Sequence, residues 1–371
     1  MSVTQPGSGP AARFASMRPI GLPVLIAVVT GALLSGCGAS PAPSPSATSS
    51  SPGPTSDAKG SRAVVLVSGL ATQTPFTTSQ EACGDGLSAG DSVSALRDEL
   101  VRFGEQVFSA PAQIGVGQVT STTGLGASAD CPPALPARLT IDTTADIDAG
   151  GIRLTRFIDY LHRTYGIQTV DLVGHSMGGL FARAAIGDLQ GGEVSVRSLT
   201  TLSTPWTGTF PADYAAGDLP LSACEGQSTC EQVVQDYKQK LADSEGPDGA
   251  ANVITTSALQ GRTGWNRKQG DDLAGVPVTL IAGDHYRLPG GRAALWPNDA
   301  LVAARSALAR GIAGATLEVR ACLVRPDVHT IGIAEQAGLP WTDAITWDPQ
   351  VLDAVKGSVR AGDRPGDTAD C

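Results

Sequence analysis

The stretch VDLVGHSMGGLFARAA, residues 170–185, places a serine between glycines where a predicted strand ends and a predicted helix begins. Small residues around Ser176 permit the sharp backbone turn that such a position needs, and the turn would hold the hydroxyl out at the carboxyl end of a sheet. The same G-x-S-x-G pattern recurs at Gly86–Gly90, but the polar, glycine-rich segment around Ser88 has no strand before it. Context therefore predicts Ser176, and not Ser88, as a nucleophile.

Strands and helices alternate on both sides of this turn. Continuous apolar, β-branched runs predict strands buried on both faces, and apolar residues at helical spacing predict the helices between them. The predicted strands are 62–70, 105–110, 167–174, 196–203, 276–283 and 315–324, and the predicted helices are 94–104, 151–166, 177–189, 300–309 and 350–360. We expect an irregular segment at 111–144 and an insertion at 205–275. This alternation predicts an α/β fold with a mostly parallel central sheet flanked by helices.

The first 61 residues are interpreted as targeting and tethering sequence, and residues 62–371 as the catalytic domain. The apolar run Ile20–Leu34 has 15 residues, short of the roughly 20 that a membrane-spanning helix needs, and with basic residues before it predicts a signal peptide at 1–36. Cys37 ends the sequence LSGC, which resembles the lipobox of bacterial lipoproteins. The Pro- and Ser-rich segment 37–61 predicts a disordered tether.

The N-terminal reading implies export and a lipid anchor in the cell membrane, with the domain on the extracytoplasmic side. An ordinary signal peptide with an incidental cysteine is the alternative. The formal net charge of −10 argues against nucleic acid as a partner, because an acidic surface repels phosphate backbones. The six cysteines after Cys37 form an even set, which in an exported chain predicts disulfides. We expect neighbours to pair as Cys83–Cys131, Cys224–Cys230 and Cys322–Cys371.

A serine hydroxyl needs an adjacent base to take its proton, so a histidine is required. His329 lies after the last predicted strand and before the last helix, where the chain order serine, acid, histidine would place the base. His162 falls at the wrong end of the sheet, and His175 neighbours the serine at a strained turn. His285 follows a strand and stays an alternative. Asp327, two residues before His329, is interpreted as a turn residue.

The acid that orients the histidine should follow the predicted strand 276–283. Asp299 and Asp284 both lie there; we favour Asp299 and keep Asp284 as the alternative. Two backbone N–H groups should stabilise the oxyanion. We predict them at Met177, which follows the nucleophile, and at Leu70, in the loop after the first strand.

The stretches YGIQTVDLVGHSMGGLFARAA, LVSGL, TLSTPWTGT, NDALV and VHT together resemble the α/β-hydrolase superfamily, and more narrowly its bacterial lipases and esterases. They are spread over nearly all of residues 62–360. In such lipases the acid lies in a similar NDGLV stretch, which adds weight to Asp299. The sequence departs from this pattern at Ser68, where many relatives have histidine, and at Ala300, where they often have glycine.

The resemblance implies a serine carboxylic-ester hydrolase that acts on an ester or lipid through an acyl enzyme and needs no cofactor. No clustered histidine or carboxylate pattern predicts a catalytic metal. Two alternatives are an acyltransferase that uses the same acyl enzyme and an inactive lipoprotein binding module on the same scaffold. The insertion at 205–275 is where relatives carry a cap or lid, and its narrow apolar stripe fits a packed surface helix equally well.

Overall fold

The structure, a computed structural model, describes residues 61–81, 92–119, 133–243, 253–314 and 317–362. The predicted signal peptide, the lipidation site Cys37 and the tether up to residue 60 lie outside these ranges. Ser88 and three of the cysteines expected to pair lie outside them too: Cys83, Cys131 and Cys371. Within the described ranges, no helix has the length and apolar character needed to cross a membrane.

Among the described residues, six parallel strands form the central sheet, which confirms the predicted fold class. In chain order they are β1 (Ser61–Val67), β2 (Val107–Ser109), β5 (Ile167–His175), β6 (Ser195–Leu202), β7 (Val278–Gly283) and β8 (Val319–Arg325). The spatial order is β2-β1-β5-β6-β7-β8, and every neighbouring pair is parallel. Two short strands, β3 (Ala112–Gln113) and β4 (Ile141–Asp142), pair with each other. A parallel sheet gathers the carboxyl ends of its strands at one edge, where ligands bind in such folds.

Helices connect the strands and cover the sheet. They are α1 (Ser94–Arg102), α2 (Ile147–Tyr165), α3 (Gly178–Leu189), α4 (Phe210–Ala216), α5 (Ser228–Asp243), α6 (Thr256–Gln260), α7 (Trp265–Gln269), α8 (Ala304–Ala307), α9 (Ile331–Ala337) and α10 (Pro349–Ala361). α2 begins at the Asp146 side chain, which accepts the Ala149 N–H at 2.7 Å, and ends at Gly166 in the left-handed region. The chain passes from this C-terminal cap directly into β5, the strand that ends just before Ser176.

Alternate residues of β1 belong to different hydrophobic cores, as the two-residue period of a strand requires. Val64 and Leu66 pack in a core that α1 and α10 complete. Val65 and Val67 pack in the larger core, which α2 and α3 complete. All four side chains are fully buried, and burial of each contributes roughly 1.5–3 kcal/mol. Packing from both faces fixes the sheet and therefore the edge where the predicted site residues lie.

Two sequence predictions differ from the structure in extent. The segment 111–144 was expected to be irregular, but it contains β3 and β4, which pair in parallel. The helix expected at 300–309 is reduced to the four residues of α8. Backbone groups before α8 are held in a tight loop instead: Asp299 N–H donates to the Val302 carbonyl at 3.2 Å, and the Asp299 carboxylate accepts further N–H groups. Ala300 also has a φ angle of 92°, outside the right-handed helical region, so the helix cannot begin there.

The insertion at 205–275 is mainly helical in its described part, and α4 to α7 lie within it. A separate small core joins it to the loop before Asp299; its buried members are Phe210, Ala223, Cys224, Cys230, Val234, Leu295 and Trp296. The predicted Cys224–Cys230 disulfide is present in this core. Cys322 is also disulfide-bonded, and its predicted partner Cys371 lies outside the described residues.

Candidate active site

Ser176 lies on the turn between β5 and α3, at the carboxyl edge of the sheet. Its φ angle is 55°, which is uncommon for a residue with a side chain and is typical of a strained strand-to-helix turn. The Ser176 N–H donates to the Leu202 carbonyl at 2.8 Å, and its carbonyl accepts the Gly179 N–H at 3.1 Å. These bonds fix the turn while the serine stays half-buried rather than enclosed.

Gly69 brings the loop after β1 into contact with this turn. A Cβ at Gly69 would lie 2.6 Å from Ser176 Cβ and 2.9 Å from Met177 N, so only glycine allows this approach. Leu70 follows Gly69 directly, and Met177 follows Ser176. The two predicted oxyanion donors therefore belong to backbone segments that touch each other beside the serine.

Asp299 and His329 form a buried pair. His329 Nδ1 lies 2.8 Å from Asp299 Oδ2, and the side chains are 2% and 0% exposed, respectively. The backbones are also joined, because the His329 N–H donates to the Asp299 carbonyl at 2.9 Å. A carboxylate on Nδ1 favours the tautomer with a proton on Nδ1, which leaves Nε2 free to act as a base.

The surroundings of Asp299 stabilise its negative charge. Burial raises the pKa of this carboxyl, but the charge and hydrogen bond of His329, with hydrogen bonds from Ser203 and Val302, outweigh it and hold the pKa below the usual value. Oδ1 accepts the N–H of Leu301 at 3.0 Å and that of Val302 at 2.8 Å. A carboxylate with this many donors stays ionised even where it is fully buried.

His175 connects the serine turn to the histidine loop. Its Nε2 lies 3.0 Å from the His329 carbonyl oxygen, and the two imidazole rings are 4.8 Å apart between centroids. In the part of the chain that the structure describes, no hydrogen bond joins Ser176 Oγ to His329 Nε2. Contacts of this type often are long without substrate and tighten when substrate binds.

The other candidate residues have different partners. Asp284, the alternative acid, forms a salt bridge with Arg287, with Oδ1 and Nη2 2.7 Å apart. His285 Nδ1 lies 3.2 Å from the Pro326 carbonyl, and His162 Nδ1 lies 2.8 Å from the Ile167 carbonyl at the opposite end of β5. The geometry therefore brings Asp299, and not Asp284, to His329.

Sequence reasoning missed the contacts that Ser203 and His175 make. Ser203 follows β6 with a φ angle of 47° and donates to Asp299, and it lies in the stretch TLSTPWTGT that carried the resemblance. The serine in this stretch was visible, but its contact with an acid in a later loop was not. Ala300, where relatives often have glycine, has a φ angle of 92° and is therefore strained.

No group of three or more histidine, cysteine, aspartate or glutamate side chains that could hold a metal ion occurs among the described residues. The chemistry that the described site offers is that of a hydroxyl, an imidazole and a carboxylate. This set suits nucleophilic attack on an acyl carbonyl, with the imidazole moving the proton.

The family described as "Putative serine esterase (DUF676)" matches residues 137–219. This stretch contains Ser176 but neither Asp299 nor His329, and it spans less than a quarter of the chain. No curated protein matches the sequence. The matched stretch is therefore similar to serine esterases around the candidate nucleophile.

Several solved structures are similar to this chain. A lipase of Bacillus licheniformis in mature form is 14% identical, with 74% of this chain and 89% of that chain covered and a TM-score of 0.37. A thermophilic esterase of Thermogutta terrifontis with malate bound is 16% identical, with 81% and 90% covered and a TM-score of 0.40. A hydrolase of Pseudomonas aeruginosa is 16% identical, with 82% and 90% covered and a TM-score of 0.38. Likenesses of this extent assign neither an activity nor a substrate.

Proposed function

We propose that the protein is a serine carboxylic-ester hydrolase in which Ser176 is the nucleophile, His329 the general base and Asp299 the orienting acid. The observation that carries this proposal is the buried Asp299–His329 pair, with 2.8 Å between Oδ2 and Nδ1, in the loop that His175 ties to the strained turn at Ser176. The match of residues 137–219 to a serine-esterase family supports the same chemistry.

In the proposed reaction, Ser176 Oγ attacks the acyl carbonyl while His329 Nε2 takes the hydroxyl proton. The tetrahedral intermediate then expels the alcohol, which leaves with that proton, and an acyl ester remains on Ser176. Water attacks this ester with the same base, so that the acid is released and the serine regains its proton. Asp299 stays ionised, because its pKa is held low, and stabilises the imidazolium that forms twice in each cycle.

The oxyanion is stabilised by the N–H groups of Leu70 and Met177. The close contact at Gly69 supports this part of the proposal, since it places the two backbone segments side by side. Each such donor lowers the barrier by about 3–4 kcal/mol when it faces the developing charge.

A fluorophosphonate probe tests the proposed nucleophile, because such probes modify a serine that an adjacent base activates. We expect one adduct, on Ser176, and loss of the adduct in Ser176→Ala. The matched control is Ser88→Ala, which removes the serine of the second G-x-S-x-G pattern and should leave labelling unchanged. Absence of an adduct on Ser176 in folded wild-type protein would rule out the proposed serine hydrolase.

A series of p-nitrophenyl esters from acetate to palmitate then tests the substrate class. An esterase prefers the short acyl chains and a lipase the long ones. Release of the acyl group to an added alcohol in preference to water would instead favour an acyltransferase. Labelling of Ser176 without turnover of any ester would point to a scaffold that binds rather than hydrolyses.

The proposal places the enzyme on the extracytoplasmic face of the cell membrane, anchored by a lipid on Cys37. The apolar run before Cys37 and the tether after it support this location. An acidic protein is not attracted to anionic lipids, so a covalent anchor would have a clear use. We expect Cys37→Ala to move the protein from the membrane fraction to the soluble fraction. A variant that stays in the membrane fraction would contradict lipidation at this residue.

A further inference from the structure

His175, the last residue of β5, is a buried histidine beside the candidate nucleophile, and the proposed chemistry does not use it. Its ring nitrogen Nε2 lies 3.0 Å from the carbonyl oxygen of His329. The two residues are 154 positions apart in sequence, and β6 and β7 lie between β5 and β8, the strand before the His329 loop. The hydrogen bond thus joins the end of β5 to the loop after β8, the two segments that carry the candidate nucleophile and the candidate base.

The partner of Nε2 fixes the protonation state of His175. A carbonyl oxygen only accepts, so Nε2 must carry the proton and donate it. Nδ1 is then an unprotonated acceptor, and it is buried without a hydrogen-bond partner among the described residues. Burial, and after it the charge of His329, lower the pKa of His175 to about 3. The ring therefore stays neutral throughout the pH range in which an esterase works.

A neutral ring at this place is compatible with the proposed mechanism. His329 becomes an imidazolium in each proton transfer, and the two rings are only 4.8 Å apart between centroids. A second positive charge at that distance would oppose the imidazolium and weaken the base. A neutral donor holds the loop without this cost.

We propose that His175 is a positioning residue that fixes the backbone of the catalytic base through its Nε2–H. This inference rests on the proposed function of Ser176 and His329. The peptide groups of His329 are held at both sides: its N–H donates to the Asp299 carbonyl at 2.9 Å, and its carbonyl accepts from His175. Since His175 is bonded covalently to Ser176, the same contact sets the position of the base relative to the nucleophile.

Two substitutions of His175 separate the hydrogen bond from the packing. His175→Gln keeps an N–H donor at a similar distance from the backbone, whereas His175→Met fills similar space without a donor. We expect His175→Met to lower kcat on p-nitrophenyl butyrate roughly 10- to 100-fold with KM changed less than about twofold, because misplacement of a catalytic group by about 1 Å can cost that much. We expect His175→Gln to recover most of this loss.

The matched control is His162→Met. His162 also places a ring nitrogen, Nδ1, 2.8 Å from a backbone carbonyl, but at the opposite end of β5. The His162→Met substitution should leave kcat and KM unchanged. Wild-type kcat in a folded His175→Met protein, or equal losses of kcat in the Met and Gln variants, would overturn the proposal.

Nitrogen NMR of wild-type protein tests the contact even if His175→Met does not fold. We expect the His175 ring to show the Nε2–H tautomer and no titration between about pH 5 and pH 9, with the resonance assigned by its loss in His175→Gln. Titration within that range, or the Nδ1–H tautomer, would overturn the proposal. Failure of the proposed role of His175 can be distinguished from failure of the proposed esterase activity. If the protein were not an esterase, wild-type protein would neither label on Ser176 nor turn over any ester.

Discussion

Asp299 and Asp327 are two buried aspartates in loops at the carboxyl edge of the same sheet, yet their pKa values shift in opposite directions. They are 0% and 2% exposed, and burial raises the pKa of both. Asp299 faces an imidazole, a hydroxyl and backbone N–H groups, and its pKa falls below the usual value. Asp327 faces the carboxylates of Asp348 and Asp343, and its pKa rises to about 8 although Arg325 opposes the rise.

The difference shows that burial does not by itself decide the charge of a carboxyl group. The neighbouring charges and the donors that reach its oxygens also decide it, and a buried carboxyl that faces other carboxylates keeps its proton. The charge of Arg325 does not offset the rise in the pKa of Asp327, and the Arg325 Nε donates to Asp348 Oδ2 at 2.6 Å. Of these two aspartates, only Asp299 is equipped to remain an anion beside a histidine, which is what the proposed mechanism requires.

The sharpest test of this comparison is Asp299→Asn, which removes the charge but keeps the size. We expect kcat to fall by about 10³- to 10⁴-fold, because an amide permits the wrong histidine tautomer and does not stabilise an imidazolium. The measurement is kcat and KM on p-nitrophenyl butyrate.

Asp284→Asn is the matched control for this substitution, since Asp284 was the alternative acid and pairs with Arg287 in the structure. It should change kcat by less than about threefold, because its carboxylate pairs with Arg287 rather than with His329. If Asp284→Asn abolished activity while Asp299→Asn retained it, the acid would be wrongly assigned.

Ser203→Ala removes one of the donors that distinguish Asp299 from Asp327. The carboxylate keeps its bonds to His329, Leu301 and Val302, so we expect only about a 10-fold loss of kcat/KM, the cost of one hydrogen bond to a charged group. Steady-state kinetics near neutral pH measure this loss.

Ser198→Ala is the control for Ser203→Ala, because it removes a serine hydroxyl from β6 itself. Ser198 Oγ donates to the carboxylate of Asp171 at 2.5 Å, a contact of the same kind that involves neither Ser176 nor His329. Its substitution should affect the melting temperature and not kcat/KM. Equal kinetic losses in both variants would show that the effect of Ser203 is general rather than specific to Asp299.

Asp327→Asn tests the other member of the comparison through stability. Because the folded pKa is raised to about 8, folded Asp327 keeps a proton that the unfolded chain loses near pH 4. The stability linked to this proton is fully present below about pH 4 and is lost as pH rises through about 8. Asparagine cannot ionise, so we expect its Tm to exceed that of wild type by a few degrees at pH 9, with a smaller difference at pH 5.

Thermal unfolding followed by circular dichroism from pH 5 to pH 9 measures this difference. Asp353→Asn is the control, because the Asp353 side chain is 72% exposed and forms an ion pair with Lys356. Its Tm should run parallel to that of wild type at every pH. The same parallel behaviour in Asp327→Asn would show that Asp327 is ionised in the folded protein at neutral pH.

The fold could be predicted from sequence because its main signals are local. The β-branched run of β1 and the apolar stripe of α2 follow from strand and helix periods, and both faces of the sheet are covered in the structure. The site is harder, because its contacts join distant loops. The pattern around Ser176 predicts a nucleophile, whereas the hydrogen bond from His175 to His329 depends on how β5 and the loop after β8 meet.

The loop around Asp299 shows why local rules fail at such a site. The run NDALVAARSA reads as a helix by composition, but Ala300 has a φ angle of 92°, which lies outside the right-handed helical region. Helix α8 begins only at Ala304. The assignment of Asp299 as the catalytic acid stays a prediction, which Asp299→Asn tests directly.

The smallest expected effect concerns the strain next to Asp299. Ala300 adopts a φ angle of 92°, which costs a residue with a side chain about 1–3 kcal/mol, whereas glycine adopts it freely. Glycine also has more freedom to lose on folding, so the net gain for Ala300→Gly should be about 1 kcal/mol, or about 2 °C in Tm. Ala303→Gly is the control, because Ala303 has a φ angle of −65° and should only lose stability. An Ala300→Gly variant with a lower Tm than wild type would show that the loop holds Asp299 without strain at this residue.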